Sequence, residues 1–487
     1  MMRRMLLNDS EKKKMSVIDL LLTLEEGVYT IHFISQSVGY SFKTVHSLLL
    51  DMDREFYELF DYELLIGKQK INWQPIAYRH PLYQRFLFQK SLSYQFAIFL
   101  LTQPKADLAT FSKQLFISHS SVRRGLRPLV NLLLQNGIKI NLSKASLEGE
   151  ERTIRRFLFA LIWAGSRGED LKKLLISFGH EEILLLQLSS SEIVINEEET
   201  LCHLLIARLR ILAGHTIEAC PLLENMPVSK QDAPLHAYFS NWFAEGEDYT
   251  NEIKFFFWLL MCTSCCLTTK DVRLPYLISY QNNLLEQENP LFLLCQEFIS
   301  NFYSQNTGVR LTTDERELIR TNSFLTLLNF GFHQRTVPDS SELIDVKWKD
   351  QVFPTSLIEF LQTFLTNVSR RKNFFWVGRC MNNLVLHLAV LLEPYWIRPV
   401  KLLVGILSNP DPILSLQVKK LFDQLPFVEY QAASLDDEVD LLLSDRCVNV
   451  AVDCFPLTSE IYQLANQQQL LSLILQLQLE KAANGGL

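Results

Sequence analysis

The sequence contains no arrangement of residues that would perform chemistry on a substrate. No Gly-rich phosphate loop, no HExxH, no GxSxG and no carboxylate pair in an acid–base setting occurs in its 487 residues, so neither a catalytic residue nor a cofactor is expected. Nine cysteines, an odd number, follow no disulfide framework. Cys262, Cys265 and Cys266 form the only cluster. A tetrahedral zinc site would need further ligands at matching spacing, and the neighbours here are Phe, Trp, Leu and Met. These thiols are expected to be buried as small hydrophobes, with no metal. Long apolar runs are missing as well. The most apolar uncharged one, 255–269, lies between Lys254 and Lys270 and is shorter than the ~20 residues of a membrane span. It reads as a buried helix. The segment MMRRMLLNDSEKKK lacks an apolar stretch of signal-peptide length, so a cytoplasmic chain with no membrane partner is expected.

One long stretch is basic and nearly free of acidic residues. The chain as a whole carries a net charge of −7. Between residues 79 and 147, however, ten bases (Arg79, Arg85, Lys90, Lys105, Lys113, Arg123, Arg124, Arg127, Lys139, Lys144) stand against the single acid Asp107. A basic island in an acidic chain is the footprint of phosphate binding. Its pattern is that of a winged helix-turn-helix. SLSYQFAIFLL (91–101) reads as a first helix and DLATFSKQLFIS (107–118) as a second, with Leu108, Phe111, Leu115 and Phe116 on one face. HSSVRRGLRPLVNLLLQNG (119–137) reads as the third, capped by Ser118 or Ser120 and closed by Gly137. Pro128 inside it implies a start near Gly125 or a bend there. IKINLSKASLEGE (138–150) alternates like a two-stranded wing. A helix entered through Ser120 and Ser121 and bearing Arg123, Arg124 and Arg127 suits a major groove, with Lys113 and Lys139 flanking it. The bland alternative is a basic helical hairpin whose arginines are merely solvated.

An upstream segment repeats the arrangement. SVIDLLLTLEE (16–26), TIHFISQSVG (30–39) and SFKTVHSLLLDMDREF (41–56) read as three helices, and LLIGKQKINW (64–73) as a hairpin wing. Lys43, Thr44 and His46 open its third helix. Residues 1–63 nonetheless hold seven bases against eleven acids, so this copy is expected to bind DNA more weakly or to serve as a packing partner. The Lys12–Lys14 run reads as a solvated arm near DNA.

From 151 to about 395 the pattern is helical and poor in glycine. Apolar residues recur at helical spacing in 152–165, 201–215, 251–266, 292–303, 313–333 and 378–392, separated by loops such as 220–234 and 334–346. The tail changes character. KLLVGIL (401–407), FVEYQ (427–431) and CVNVAVD (447–453) read as strands, whereas 412–425, 435–444 and 459–482 read as helices. That alternation argues for a small parallel α/β domain.

This order of parts, together with SSVRRGLRPLVNLL, GIKINLSKASLEGEERTIRRFLF and HLLIARLR (203–210), resembles the Mga/AtxA-like virulence regulators of Gram-positive bacteria. The resemblance implies a mainly α multidomain chain. Its parts would be winged helix-turn-helix domains at 1–75 and 76–150, helical phosphotransferase-system regulation domains at 151–290 and 291–397, and an enzyme IIB-like domain at 398–487. It also implies phosphorylatable histidines at His203 and, in NNLVLHLAVLL, at His387, with a phosphotransferase-system phosphocarrier protein as partner. The added negative charge should repel nearby acids or recruit an arginine such as Arg208 or Arg210. Hydrogen-bonded core histidines are the competing reading of both positions. Two departures stand out: Leu259 occupies the place of a second histidine in EIKFFFWLL, and Ser408 and Asn409 follow the first tail strand where an enzyme IIB domain has its cysteine. An acceptor aspartate at Asp453 would require an acidic pair after strand one, which is absent. The expectation is a transcriptional activator, not an enzyme, that binds double-stranded DNA as a homodimer joined through the C-terminal domain. The alternatives are a protein-interaction scaffold and a phosphotransferase component.

Overall fold

A computed structural model describes residues 6–74, 79–174, 179–189, 196–224, 226, 232–305, 311–334, 353–396, 402–407, 418–423, 425, 427–434, 439–444, 453–456 and 464–484. The chain divides into two units, 1–305 with 311–392 and 306–310 with 393–487.

The larger unit begins with α1 (Asp9–Leu21), β1 (Gly27–Thr30), α2 (Ile31–Val38), α3 (Phe42–Phe60), β2 (Leu65–Ile66) and β3 (Lys70–Trp73). Asn8 and Glu11 form a reciprocal capping box that starts α1. The hairpin read over 64–73 belongs to a three-stranded antiparallel sheet in the order β1-β3-β2, closed by the pairing of Gly27–Thr30 with Trp73–Lys70. The strand of residues 27–30 was not anticipated from the sequence. Lys12–Lys14 lies within α1 and is not an arm: Lys14 is buried and its Nζ stands 2.7 Å from Glu55 Oε1 on α3.

After α4 (Arg79–Lys90) come α5 (Leu92–Thr102), α6 (Leu108–Gln114), α7 (His119–Gly125), α8 (Arg127–Gln135), β4 (Lys139–Asn141) and β5 (Ser146–Glu148), the last two paired antiparallel. The stretch read as one third helix is two. Leu126 ends α7, and Pro128 sits in the first turn of α8, where its missing N–H removes no helical hydrogen bond. Arg127 consequently opens α8 and does not belong to the helix that carries Arg123 and Arg124. The apolar face of α6 is also shorter than expected. Leu108 and Phe111 are buried, whereas Phe116 lies beyond the helix end and is 95 % exposed.

One hydrophobic core runs from Leu6 to Ile206. It joins both three-helix segments, α4, and the helices α9 (Glu151–Ser166), α10 (Glu169–Leu174) and α12 (Glu197–Leu212), while α11 (Gly179–Ser189) packs on α12. Continuous burial of this kind packs the two segments on a shared core, and separating them would expose apolar side chains at ~25 cal/mol per Å². Further along are the short α13 (Pro221–Glu224), α14 (Asp232–Phe239), α15 (Thr250–Cys262), α16 (Leu274–Glu286), α17 (Pro290–Gln305), α18 (Thr313–His333), α19 (Thr355–Ser369) and α20 (Phe375–Trp396). The helix read over 251–266 ends at Cys262. Cys262 and Cys266 are buried, but Cys265 is exposed, contrary to the expectation for all three. Aromatic pairs fill this region: Trp258 stacks on Phe332 at 4.3 Å and Phe298 meets Phe364 at 5.2 Å. Residues 372–396 form the one segment, among the described residues, long and apolar enough to cross a membrane, and just under half of its apolar window is buried in the protein.

A buried charge cluster ties α9 to α12 and α15. Arg155 bridges Glu252 (2.5 Å) and Glu151 (3.0 Å), and Arg210 holds Glu151 through two bonds. Burial raises the Glu151 pKa, but the hydrogen bond from Arg210 and the charge of Arg155 outweigh it and hold the carboxyl below its usual range.

The second unit contains β6 (Leu402–Leu407), β7 (Val428–Ala433), β8 (Leu441–Ser444), β9 (Asp453–Pro456) and α21 (Leu464–Asn484). All strand pairs are parallel, in the order β7-β6-β8-β9. Residues 441–444 are a fully buried strand, not the helix expected over 435–444. Four consecutive buried positions fit a strand covered on both faces, and period alone does not separate that from a short helix. Ser408, Asn409, 435–438 and 447–452 lie outside the described residues.

Candidate nucleic-acid interface

A single numerical offset carries the first three-helix segment onto the second. Thr30 caps α2 by accepting the Phe33 amide, and Asp107 caps α6 by accepting that of Thr110. Ser41 caps α3 through the Thr44 amide, and Ser118 caps α7 through that of Ser121. In both turns the amide just before the cap reaches back to a serine carbonyl: Tyr40 to Ser35 at 3.2 Å, Ile117 to Ser112 at 3.1 Å. Val45 and Leu49 are matched by Val122 and Leu126, all four buried. The two segments are one local fold used twice.

What the repeats present to solvent is different. In the second, Lys113, Ser120, Arg123, Arg124, Arg127, Lys139 and Lys144 are exposed. Arg123 reaches Ser143 in the wing turn at 3.1 Å, tying α7 to the β4–β5 hairpin. Gly125 lets α7 close on α5, since a Cβ there would lie 2.4 Å from Leu92 Cδ1. Ser120 and Ser121 are less available than the sequence suggests. Ser121 is half-buried, and both hydroxyls lie within 3.1 Å of Ser118 Oγ at the cap. Beyond Asp107 no acid occurs until Glu148.

The first repeat spends its polar groups on itself. Thr44 is half-buried with its hydroxyl 2.9 Å from Ser41, and His46 is half-buried and stacked on Phe42. Lys43 alone of the three is exposed. Asp53 accepts the Leu65 amide of the wing, and Glu55 binds Lys14 and the Tyr83 hydroxyl.

The histidines lie elsewhere in the larger unit. His203 on α12 keeps part of its surface, but its ring stacks face-on against Phe159 at 3.7 Å. Burial, with the charge of Arg156 added, holds its pKa well below the usual value, so the imidazole is neutral. Arg156 is the cation whose charge bears on His203. Arg210 is held by Glu151, and Arg208 lies over the Trp242 ring with Glu181 at 3.4 Å. His387 on α20 is half-buried, its Nδ1 2.7 Å from the Asn383 carbonyl and its ring edge-on to Phe330. No signal in the sequence links Arg156 to His203, because that depends on how α9 packs against α12.

Residues 81–162 match the family model of the Mga helix-turn-helix domain. The match runs from α4 through the second repeat into α9, past the boundary expected at 150. It supports a Mga-like, DNA-binding transcriptional regulator. No curated protein matches the chain.

Proposed function

We propose that this chain is a DNA-binding transcriptional activator that enters the major groove with α7 of the second repeat. Arg123 and Arg124 read base edges there, and Lys113, Arg127 and Lys139 hold flanking phosphates. The observation that carries the reading is the exposed basic surface of α6–α8 and the wing turn, which has no acid between Asp107 at the α6 cap and Glu148 in β5, inside the segment that matches the Mga helix-turn-helix. Lys43, Thr44 and His46 of the first repeat make the minor contribution. The activating sign follows from the resemblance to Mga/AtxA-like regulators. The test is a gel-shift titration of the full chain against duplexes recovered from a randomised pool. Sequence-selective, salt-sensitive binding is expected, and no binding at any duplex would overturn the reading.

The same proposal places the chain in the cytoplasm and assigns no catalysis to it. His203 and His387 accept phosphoryl groups from a phosphotransferase-system phosphocarrier. A neutral His203 ring is a competent nucleophile, and the positive charge of Arg156, which already bears on the ring, would favour the added charge of about −2. His203→Asp should alter reporter output without unfolding the chain, and His203→Ala should abolish the response to sugar supply. Wild-type phenotypes for both, with no phosphohistidine seen by acid-free mass spectrometry, would make His203 a core residue. Dimerisation through 398–487 completes the reading, supported by apolar surface on α21, where Leu475 is 49 % exposed beside buried Leu470 and Ile474. Sedimentation of a chain lacking 398–487 should show monomer, and an unchanged dimer would move the interface to the helical modules.

A further inference from the structure

Phe116 is 95 % exposed in the turn between α6 and α7, at φ 55°. Both facts are costly. A bulky side chain in the left-handed region crowds its own carbonyl, and an aromatic ring in water gives up its burial energy. The first repeat shows that the turn requires neither. Its counterpart is Gly39, at φ 74°, with the same back-bonded turn and empty space where a Cβ would stand. The fold is therefore satisfied by glycine, and the ring at 116 makes no contribution to the core. Its position is two residues ahead of the α7 cap, three after exposed Lys113 and three before exposed His119, at the N-terminal end of α7, the end by which a recognition helix contacts bases. No acid lies between 108 and 147, so the surface around the ring complements a polyanion.

We propose that Phe116 is a DNA-contacting residue that lays its ring on the apolar edge of the duplex, thymine methyl or deoxyribose, at the lip of the major groove. This inference rests on the DNA-binding reading above and adds to it a contact that no charge pattern would reveal. An aromatic ring there reads an apolar group and releases no counterion, so its loss weakens binding without altering salt dependence.

The test uses the full chain and the tightest duplex selected from a randomised pool, titrated at several salt concentrations. Phe116→Gly and Phe116→Asn both suit a left-handed turn and remove the ring. Each should weaken binding about tenfold with an unchanged log–log salt slope and no loss of Tm. Phe116→Tyr should bind within about threefold of wild type. A duplex with uracil in place of thymine separates the two sources: wild type alone weakens if the methyl is the contact, and the variants keep their deficit if it is the sugar. Wild-type affinity in both ring-deleted variants, while Arg123→Ala with Arg124→Ala loses binding, would overturn the proposal and leave the DNA reading standing. Wild-type affinity in all of these variants would overturn both. A change in sedimentation instead of DNA affinity would assign the ring to a protein partner and overturn the proposal.

Discussion

The two three-helix repeats share caps, turns and core positions, yet the first buries a Lys14–Glu55 pair and exposes mostly acids such as Asp51, Glu58, Asp61 and Glu63, whereas the second exposes bases. Glu55 in the first repeat pairs with Lys14 and Tyr83, and the matching position in the second is buried Leu132. His46 stacks on Phe42, and its counterpart is exposed Arg123. Gly39 makes its turn at no cost, and its counterpart is Phe116. One backbone thus serves two ends: the first copy uses polar groups to fix itself against α1 and α4, and the second leaves them for a partner. The shared core from Leu6 to Ile206 means that the first copy holds the second in place.

The largest effect expected from this contrast is on stability. Glu55→Ala leaves Lys14, 6 % exposed, without its partner and should cost about 3 kcal/mol in urea unfolding. The triple change Lys14→Met, Glu55→Leu and Tyr83→Phe gives the first copy the apolar solution of the second and should recover most of that loss. If the single change costs nothing, the Lys14–Glu55 pair is ornamental and the contrast weakens. Gly39→Ala, at φ 74°, should cost about 1–2 kcal/mol. Phe116→Ala, already a residue with a Cβ, should leave stability near wild type, and equal losses would show that the two turns are not the same device. The smallest effects should be symmetric: Ser41→Ala and Ser118→Ala each remove one cap and should cost about 1 kcal/mol, read as matched shifts in Tm.

Much of this was legible in the sequence because the basic island and the helical spacing are local signals. The helices of both repeats, their wings and the Ser118 cap follow from residues within a few positions of one another. The break at Leu126 did not follow from periodicity, since Val122, Leu126, Leu129 and Leu133 keep helical spacing straight through it, and Pro128 alone betrays it. Phe116 looked like a core residue because it continues the spacing of Leu108, Phe111 and Leu115. The helix stops at Gln114, and a left-handed residue points elsewhere. Lys14 looked solvated because its partner Glu55 lies far along the chain. The strand at 441–444 is too short and too uniformly apolar for a period to show. In the interface the arginines were legible as charge, whereas the tying of the Ser120 and Ser121 hydroxyls to Ser118 at the cap depends on geometry.

The central claim, that the second repeat carries DNA binding, is tested most directly by the salt dependence of duplex affinity in matched variants. Arg123→Ala with Arg124→Ala should cost about 1–3 kcal/mol for each arginine that reads a base edge, or flatten the log–log slope by about 0.9 for each that neutralises a phosphate. The paired change Lys43→Ala and His46→Ala in the first repeat should lose much less on both measures. Equal losses from the two repeats would contradict the account.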